Sequence, residues 1–344
     1  MHSYEYIFTA VIASAILTAS LTIVSIMSQP SINVSEGEHV KIVAQKIVTQ
    51  LTLNPGNPPE WGSNVEIGSE DLTAFGLAKY GEATRGAYVL DPDKVQRLDV
   101  NIPQHLYIPP NVAVKLLGLG VEYGLKLEFI PVLDVNISLQ SGVGISIAVS
   151  SDQSMLPIIS AKVTARLFYL HDGEVETDLK SGTTDVNGNC DIEYDRVDSN
   201  TFLVVVVDYY GICVVKTYAL NCIRAYFIGN QLILNEQLTI TGSKAYQVVV
   251  VKSGEAYTID YVQCDLTQTS PLMYNVTYVE PSAVALLAVA DDSSILVAAY
   301  KNVPSSYSSI PKGTLPFTAY MLERTVVIGC SLYTLRIYVW RVIL

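Results

Sequence analysis

The sequence predicts a mainly β protein behind two N-terminal helices, the first transmembrane and the second amphipathic. Three observations lead there. Tyr6 to Met27 is a run of 22 residues without a charge, and roughly 20 apolar residues in a helix span a bilayer core of about 30 Å. Val40, Val43, Ala44, Ile47, Val48 and Leu51 then recur at the spacing of one apolar helix face. From Tyr123 onward, short runs alternate apolar and polar residues, the period of a half-buried strand.

The first element, over residues 1–30, is a retained anchor by length, since a cleavable signal core is only about 7–15 residues. Ser28-Gln29-Pro30 stops it. Ala10, Ser14, Thr18 and Thr22 recur every four residues. They line one stripe with small side chains, which lets two helices approach closely in lipid; the alternative is that they simply dilute the apolar run. The second helix has Ser35 as its cap candidate and Glu36 and Glu38 in its first turn. It ends before Asn54-Pro55-Gly56-Asn57-Pro58-Pro59, a stretch dense in helix breakers. Trp61 follows as a ring packed against the domain. Short helices are expected at Asp91 to Val100 and Asn111 to Leu117, each opened by proline.

Half of the residues are apolar, only 16% are charged and mean hydropathy is +0.33, more than one anchor explains. The remainder must therefore be rich in buried strands. Residues 31–142 read as helix, loop and first strands. Residues 143–222 read as a compact β-sandwich, Ig-like in its cadence of short strands, with Asn187-Gly188 as a hairpin signal. Residues 223–344 read as a further β domain, closed by the aromatic strand from Leu335 onward.

A net charge of −12 argues against a nucleic-acid partner, whose phosphates reward clustered Lys and Arg. The expected partners are the membrane and further copies or other surface subunits. Orientation is read two ways. Lys41 and Lys46 after the anchor favour a cytoplasmic bulk. The size, acidity and β-content of that bulk favour the exterior, which is the expectation adopted here. Three sequons, at Asn33, Asn136 and Asn275, suit an exterior protein. The five cysteines, Cys190, Cys213, Cys222, Cys264 and Cys330, contain no C-x-x-C pair. They are disulfide candidates of undetermined pairing, or small buried hydrophobes.

No catalytic pattern appears. The four histidines are scattered, without metal-ligand spacing, and no nucleophile elbow or phosphate-binding loop is present. Asp185, Asn187 and Asp191 gather oxygens around Gly188 and offer a weak calcium candidate beside their simpler reading as a turn. No cofactor is implied.

Leu51-Thr52-Leu53-Asn54-Pro55-Gly56-Asn57-Pro58-Pro59-Glu60-Trp61-Gly62, Phe75-Gly76-Leu77-Ala78 and Leu90-Asp91-Pro92-Asp93-Lys94-Val95 form an ordered set. With the apolar helix before it, this set resembles archaeal type IV pilin-like secreted proteins over residues 1 to about 130. The resemblance implies a filament or surface subunit, with Glu5 as a carboxylate that meets a neighbouring subunit's amine in an apolar core. It also implies a short basic leader ending in glycine, where this sequence reads Met1-His2-Ser3-Tyr4-Glu5. Val163 to Tyr218, with Thr183-Thr184-Asp185-Val186-Asn187-Gly188 inside it, resembles transthyretin-like or carboxypeptidase-regulatory modules, non-catalytic spacers on surface proteins. The expectation is thus a structural, non-enzymatic protein of the cell membrane or a surface filament. The alternative is a tethered module that recognises a glycan or peptide.

Overall fold

The structure is a computed structural model that describes residues 37–81, 88–140, 144–152, 154–197, 200–254, 256–291, 295–310 and 314–342. The anchor run, Glu5, Ala10, Ser14, Thr18, Thr22, Asn33, Ser35 and Glu36 lie outside these residues. Among the described residues, no helix is long and apolar enough to cross a membrane. Strand makes up 53% of the described residues against 10% helix, so the class is mainly β.

The chain enters through helix α1, residues 37–53. Val40, Ala44, Ile47, Val48 and Leu51 are buried, with Val43 packed against the same core. The 3.6-residue periodicity therefore names the buried face residue by residue. After the Pro-rich turn, β1 (Val89–Leu90), α2 (Pro92–Gln96), α3 (Pro110–Leu116) and β2 (Tyr123–Pro131) follow. Asp91 caps α2, its carboxylate accepting from the Asp93 amide at 2.9 Å.

A sandwich comes next: β3 (Leu133–Leu139), β4 (Gly144–Ser151), β5 (Lys162–His171), β6 (Glu174–Thr183), β7 (Asn189–Glu193), β8 (Thr201–Tyr209) and β9 (Ile212–Leu220). One sheet runs β3-β4-β7 and the other β6-β5-β8-β9. Their facing side chains, among them Val135, Ile147, Leu167, Tyr194 and Val205, form one core. The unit therefore starts at Leu133, ten residues before the expected boundary at 143, because β3 pairs with β4 in register Val135–Val149. Strand β6 carries no apolar stripe, since it lies at a sheet edge with one neighbour, β5.

The third unit holds β10 (Ile223–Ile228), β11 (Gln231–Leu234), β12 (Ile240–Ser253), β13 (Ala256–Cys264), β14 (Leu266–Ser270), β15 (Met273–Val276), β16 (Ala283–Ala290) and β17 (Leu296–Tyr300). They form one sheet, β13-β12-β16-β17-β10-β11-β15-β14. It curls until the Leu266 carbonyl lies against Gly242, where a Cβ would stand 2.6 Å away. Phe227, Leu232, Leu286 and Val297 fill the inside of the curl. Its outer face, with Val248, Ala285 and Leu287, packs on Phe168, Phe202, Val204 and Val206 from the outer face of the sandwich.

The chain then goes back. β18 (Ser306–Ser308), β19 (Tyr320–Ile328) and β20 (Ser331–Arg341) join the first unit in a sheet of order β1-β19-β20-β2-β18. Residues 223–344 are thus not one domain. β20 pairs with β2 across nine positions, from Tyr123–Arg341 to Pro131–Tyr333. The apolar stripe of β20 needs a central place, and Leu335, Ile337, Val339 and Trp340 are buried in the first unit's core or against it.

Candidate functional site

The Pro-rich turn is built around Trp61, which is fully buried, and it contains a cis Asn57–Pro58 bond. Proline carries no amide hydrogen, so such a loop offers few donors of its own, and carbonyls outside its one bridge at Asn57–Ala74 need other donors. Two buried cations of the α2 region supply them. Lys94 Nζ donates to the Pro55 and Ala78 carbonyls at 2.8 and 2.9 Å. Arg97 donates to the carbonyls of Leu106 at 2.7 Å, Ile67 at 2.5 Å, Asn64 at 3.3 Å and, more closely, Trp61. Both lie over the Trp61 ring, 5.9 and 5.5 Å from its centre. Burial pushes Lys94 down to about 8 and Arg97 down to about 10. The sequence reading missed both, because a helix written Asp-Lys-Val-Gln-Arg looks solvated. The usable signal was the proline density next to it.

Where the three units meet lies a partly open cavity of about 480 Å³, lined among others by Lys79, Asp93, Thr217, Tyr300, Lys301 and Cys330. Lys301 Nζ lies 3.0 Å from Asp93 Oδ1 and 3.1 Å from Oδ2. Only the Oδ2 approach is aligned as a hydrogen bond, which leaves Oδ1 ion-paired without an aligned donor. Burial raises the Asp93 pKa while Lys301 pulls it down. Beside the pair, Gln96 bridges two units: its Nε2 donates to the Phe227 carbonyl at 3.1 Å, and its Oε1 accepts from the Asn302 amide at 3.0 Å. The cavity thus presents a buried charge pair beside hydroxyls and a tyrosine ring. Such a wall can orient a small polar molecule.

Of the calcium candidates, Asp185 and Asn187 share the turn, whereas Asp191 is engaged elsewhere. Asp185 Oδ1 accepts from the Asn187 and Asn189 amides at 2.9 and 2.8 Å. Asp191 Oδ1 instead accepts from Ser146 Oγ at 2.6 Å and from Gln140 at 3.2 Å. The Asn187-Gly188 turn is also not a hairpin, since it joins β6 to β7 across the two sheets of the sandwich. Buried Thr184 anchors it, donating to the Ile158 carbonyl at 2.6 Å and accepting from the Ala161 amide at 2.9 Å. Among the described residues, no three His, Cys, Asp or Glu side chains are placed to hold a metal.

Of the sequons, Asn136 is exposed on β3, whereas Asn275 is half-buried and its amide oxygen accepts from Asn230 at 2.6 Å. The five cysteines stand as free thiols. Cys190 and Cys264 are buried within the sandwich and third-unit cores, and the Cys222 thiol donates to the Thr201 carbonyl at 3.2 Å. Cys213 and Cys330 face one another across two units.

No protein-family model matches the chain, and no curated protein is significantly similar to it.

Proposed function

We propose that this chain is a structural, non-enzymatic cell-surface protein, a pilin-like subunit or minor pilin-type component of a filament, adhesion or envelope assembly. One observation carries the reading: α1, the helix that follows the apolar run in sequence, lays its apolar face on the first unit's core. The same helix turns Ile42 and Leu53 to solvent, 64% and 41% exposed, along the side where a neighbour could pack. The apolar helix would anchor the chain in the membrane or pack in a filament core, with the bulk outside. The sandwich, Ig-like or transthyretin-like in this reading, and the curled sheet would serve as outward spacers.

Electron microscopy of native membranes and shed material, with antibody raised against the sandwich, tests this. Labelled filaments or ordered arrays are expected; evenly dispersed monomers in the membrane would overturn the subunit reading.

The junction cavity, with its buried Asp93–Lys301 pair, favours a second reading, a tethered module that binds a small polar ligand such as a glycan unit. Saturable binding of free sugars, lost in Asp93→Asn, would move the assignment there.

A further inference from the structure

Two thiols from separate units meet at the junction. Cys213, the second residue of β9, lies on the outer face of the sandwich and is buried among Phe202, Val206 and Val248. Cys330 sits in the turn between β19 and β20, just after Gly329, whose φ of +62° makes that turn possible. Cys330 packs against the same cluster that buries Cys213. A second contact fixes the pairing: the Val215 amide donates to Ser331 Oγ at 2.8 Å. Cys190 and Cys264 lie in other cores, and Cys222, which borders the same cluster, gives its thiol to the Thr201 carbonyl.

We infer that Cys213 and Cys330 are an oxidisable dithiol, a modification site whose disulfide would clasp the sandwich to the first unit. The inference is independent of the pilin-like reading.

The two thiols have different roles. Cys330 lines the cavity and is the more accessible. The neighbouring Cys213 thiol lowers its pKa, while Cys330 and burial raise that of Cys213. The oxidant is a small disulfide such as oxidised glutathione. The Cys330 thiolate attacks one of its sulfurs, forming a mixed disulfide and releasing one thiolate, which takes the Cys330 proton from water. Cys213 then attacks the Cys330 sulfur and expels the second glutathione thiolate, which receives the Cys213 proton. Two S–H bonds are exchanged for one S–S bond, and the oxidant leaves as two thiols. The closed loop is long, from 213 to 330, and such a cross-link restricts the unfolded chain strongly.

The test uses the full chain, reduced and then exposed to oxidised glutathione under native conditions. Free thiols are counted with a maleimide, and peptides are mapped by mass spectrometry without reduction. The expected result is a fall from five thiols to three, with Cys213–Cys330 as the linked pair. No link, or a link through Cys190, Cys222 or Cys264, overturns the inference. Cys213→Ser should keep glutathione on Cys330, whereas Cys330→Ser should leave Cys213 unmodified; the reverse pattern overturns the order of attack. The oxidised wild-type chain should melt at a higher temperature than the reduced one, and dithiothreitol should erase the difference. An unchanged or lower melting temperature would show that the bond does not fit the native junction.

Discussion

Replacing Arg97 with methionine removes the donor on which the loop just after the Pro-rich turn depends. The guanidinium is fully buried and donates to four carbonyls, those of Trp61, Asn64, Ile67 and Leu106. Methionine is close in length and keeps the apolar stem packed, so the change isolates the hydrogen bonds. A buried carbonyl left without a donor costs ~1–3 kcal/mol, and water entering the emptied space recovers part of it. The expected loss is about 3–5 kcal/mol, a large share of a typical domain stability of about 5–15 kcal/mol. Arg97→Lys should lose roughly half as much, since one ammonium lacks the planar fork that reaches several carbonyls at once. Urea unfolding followed by tryptophan fluorescence measures this directly. The only two tryptophans, Trp61 and Trp340, are both buried in the first unit or against it. A loss below about 1 kcal/mol for Arg97→Met, or an equal loss for the lysine variant, would refute the reasoning.

Lys94 gives a pH test, because it titrates at about 8 in the folded chain against its ordinary 10.5. Below both values each state is protonated and the burial penalty is constant; between them only the unfolded chain keeps the proton, so stability rises with pH. The rise should reach about 3 kcal/mol in wild type relative to Lys94→Met, and parallel stability–pH curves would count against it. Gly76→Ala should destabilise the first unit by several degrees in melting temperature, because its Cβ would stand 2.1 Å from the Asn54 carbonyl oxygen; an unchanged melt would show that the loop can shift. Asp185→Ala removes two turn hydrogen bonds and should cost ~1 kcal/mol. Calcium should change neither wild-type nor mutant melting, and a calcium-dependent rise confined to wild type would revive the cation reading.

What was legible in the sequence follows from where the physics is local. The face of α1 could be read exactly as far as its period, because helical geometry alone decides which side chains share a side. The hairpin ends were equally local: Tyr210-Gly211 turns β8 into β9 with φ of 51° and 85°. Asn187-Gly188 shows the limit. Its left-handed glycine was legible, but whether the next strand returns to the same sheet depends on Thr184 and the Ile158 and Ala161 backbone far away in sequence. Strands β10, β11 and β14 carry little local signal for a related reason, being short and defined by their partners. The far end of the unit that begins at 223 was misplaced because nothing near Ser306 signals that the chain will pair with Leu127. The buried donors Lys94 and Arg97 were hidden by charge, which usually marks a surface.

The return of β20 to the first unit also sets an order of assembly. In the sheet β1-β19-β20-β2-β18 the last strand to be synthesised is the central one. While it is still missing, nothing joins β19, on which β1 pairs, to β2, and the core around Leu127 and Phe129 stays open. The sandwich and the curled sheet, encoded between β2 and β18, have all their strands earlier and can fold as units in chain order. The body nearest the apolar run is therefore the last to close. A chain truncated before Ser331 would carry two finished outer units on an unfinished base.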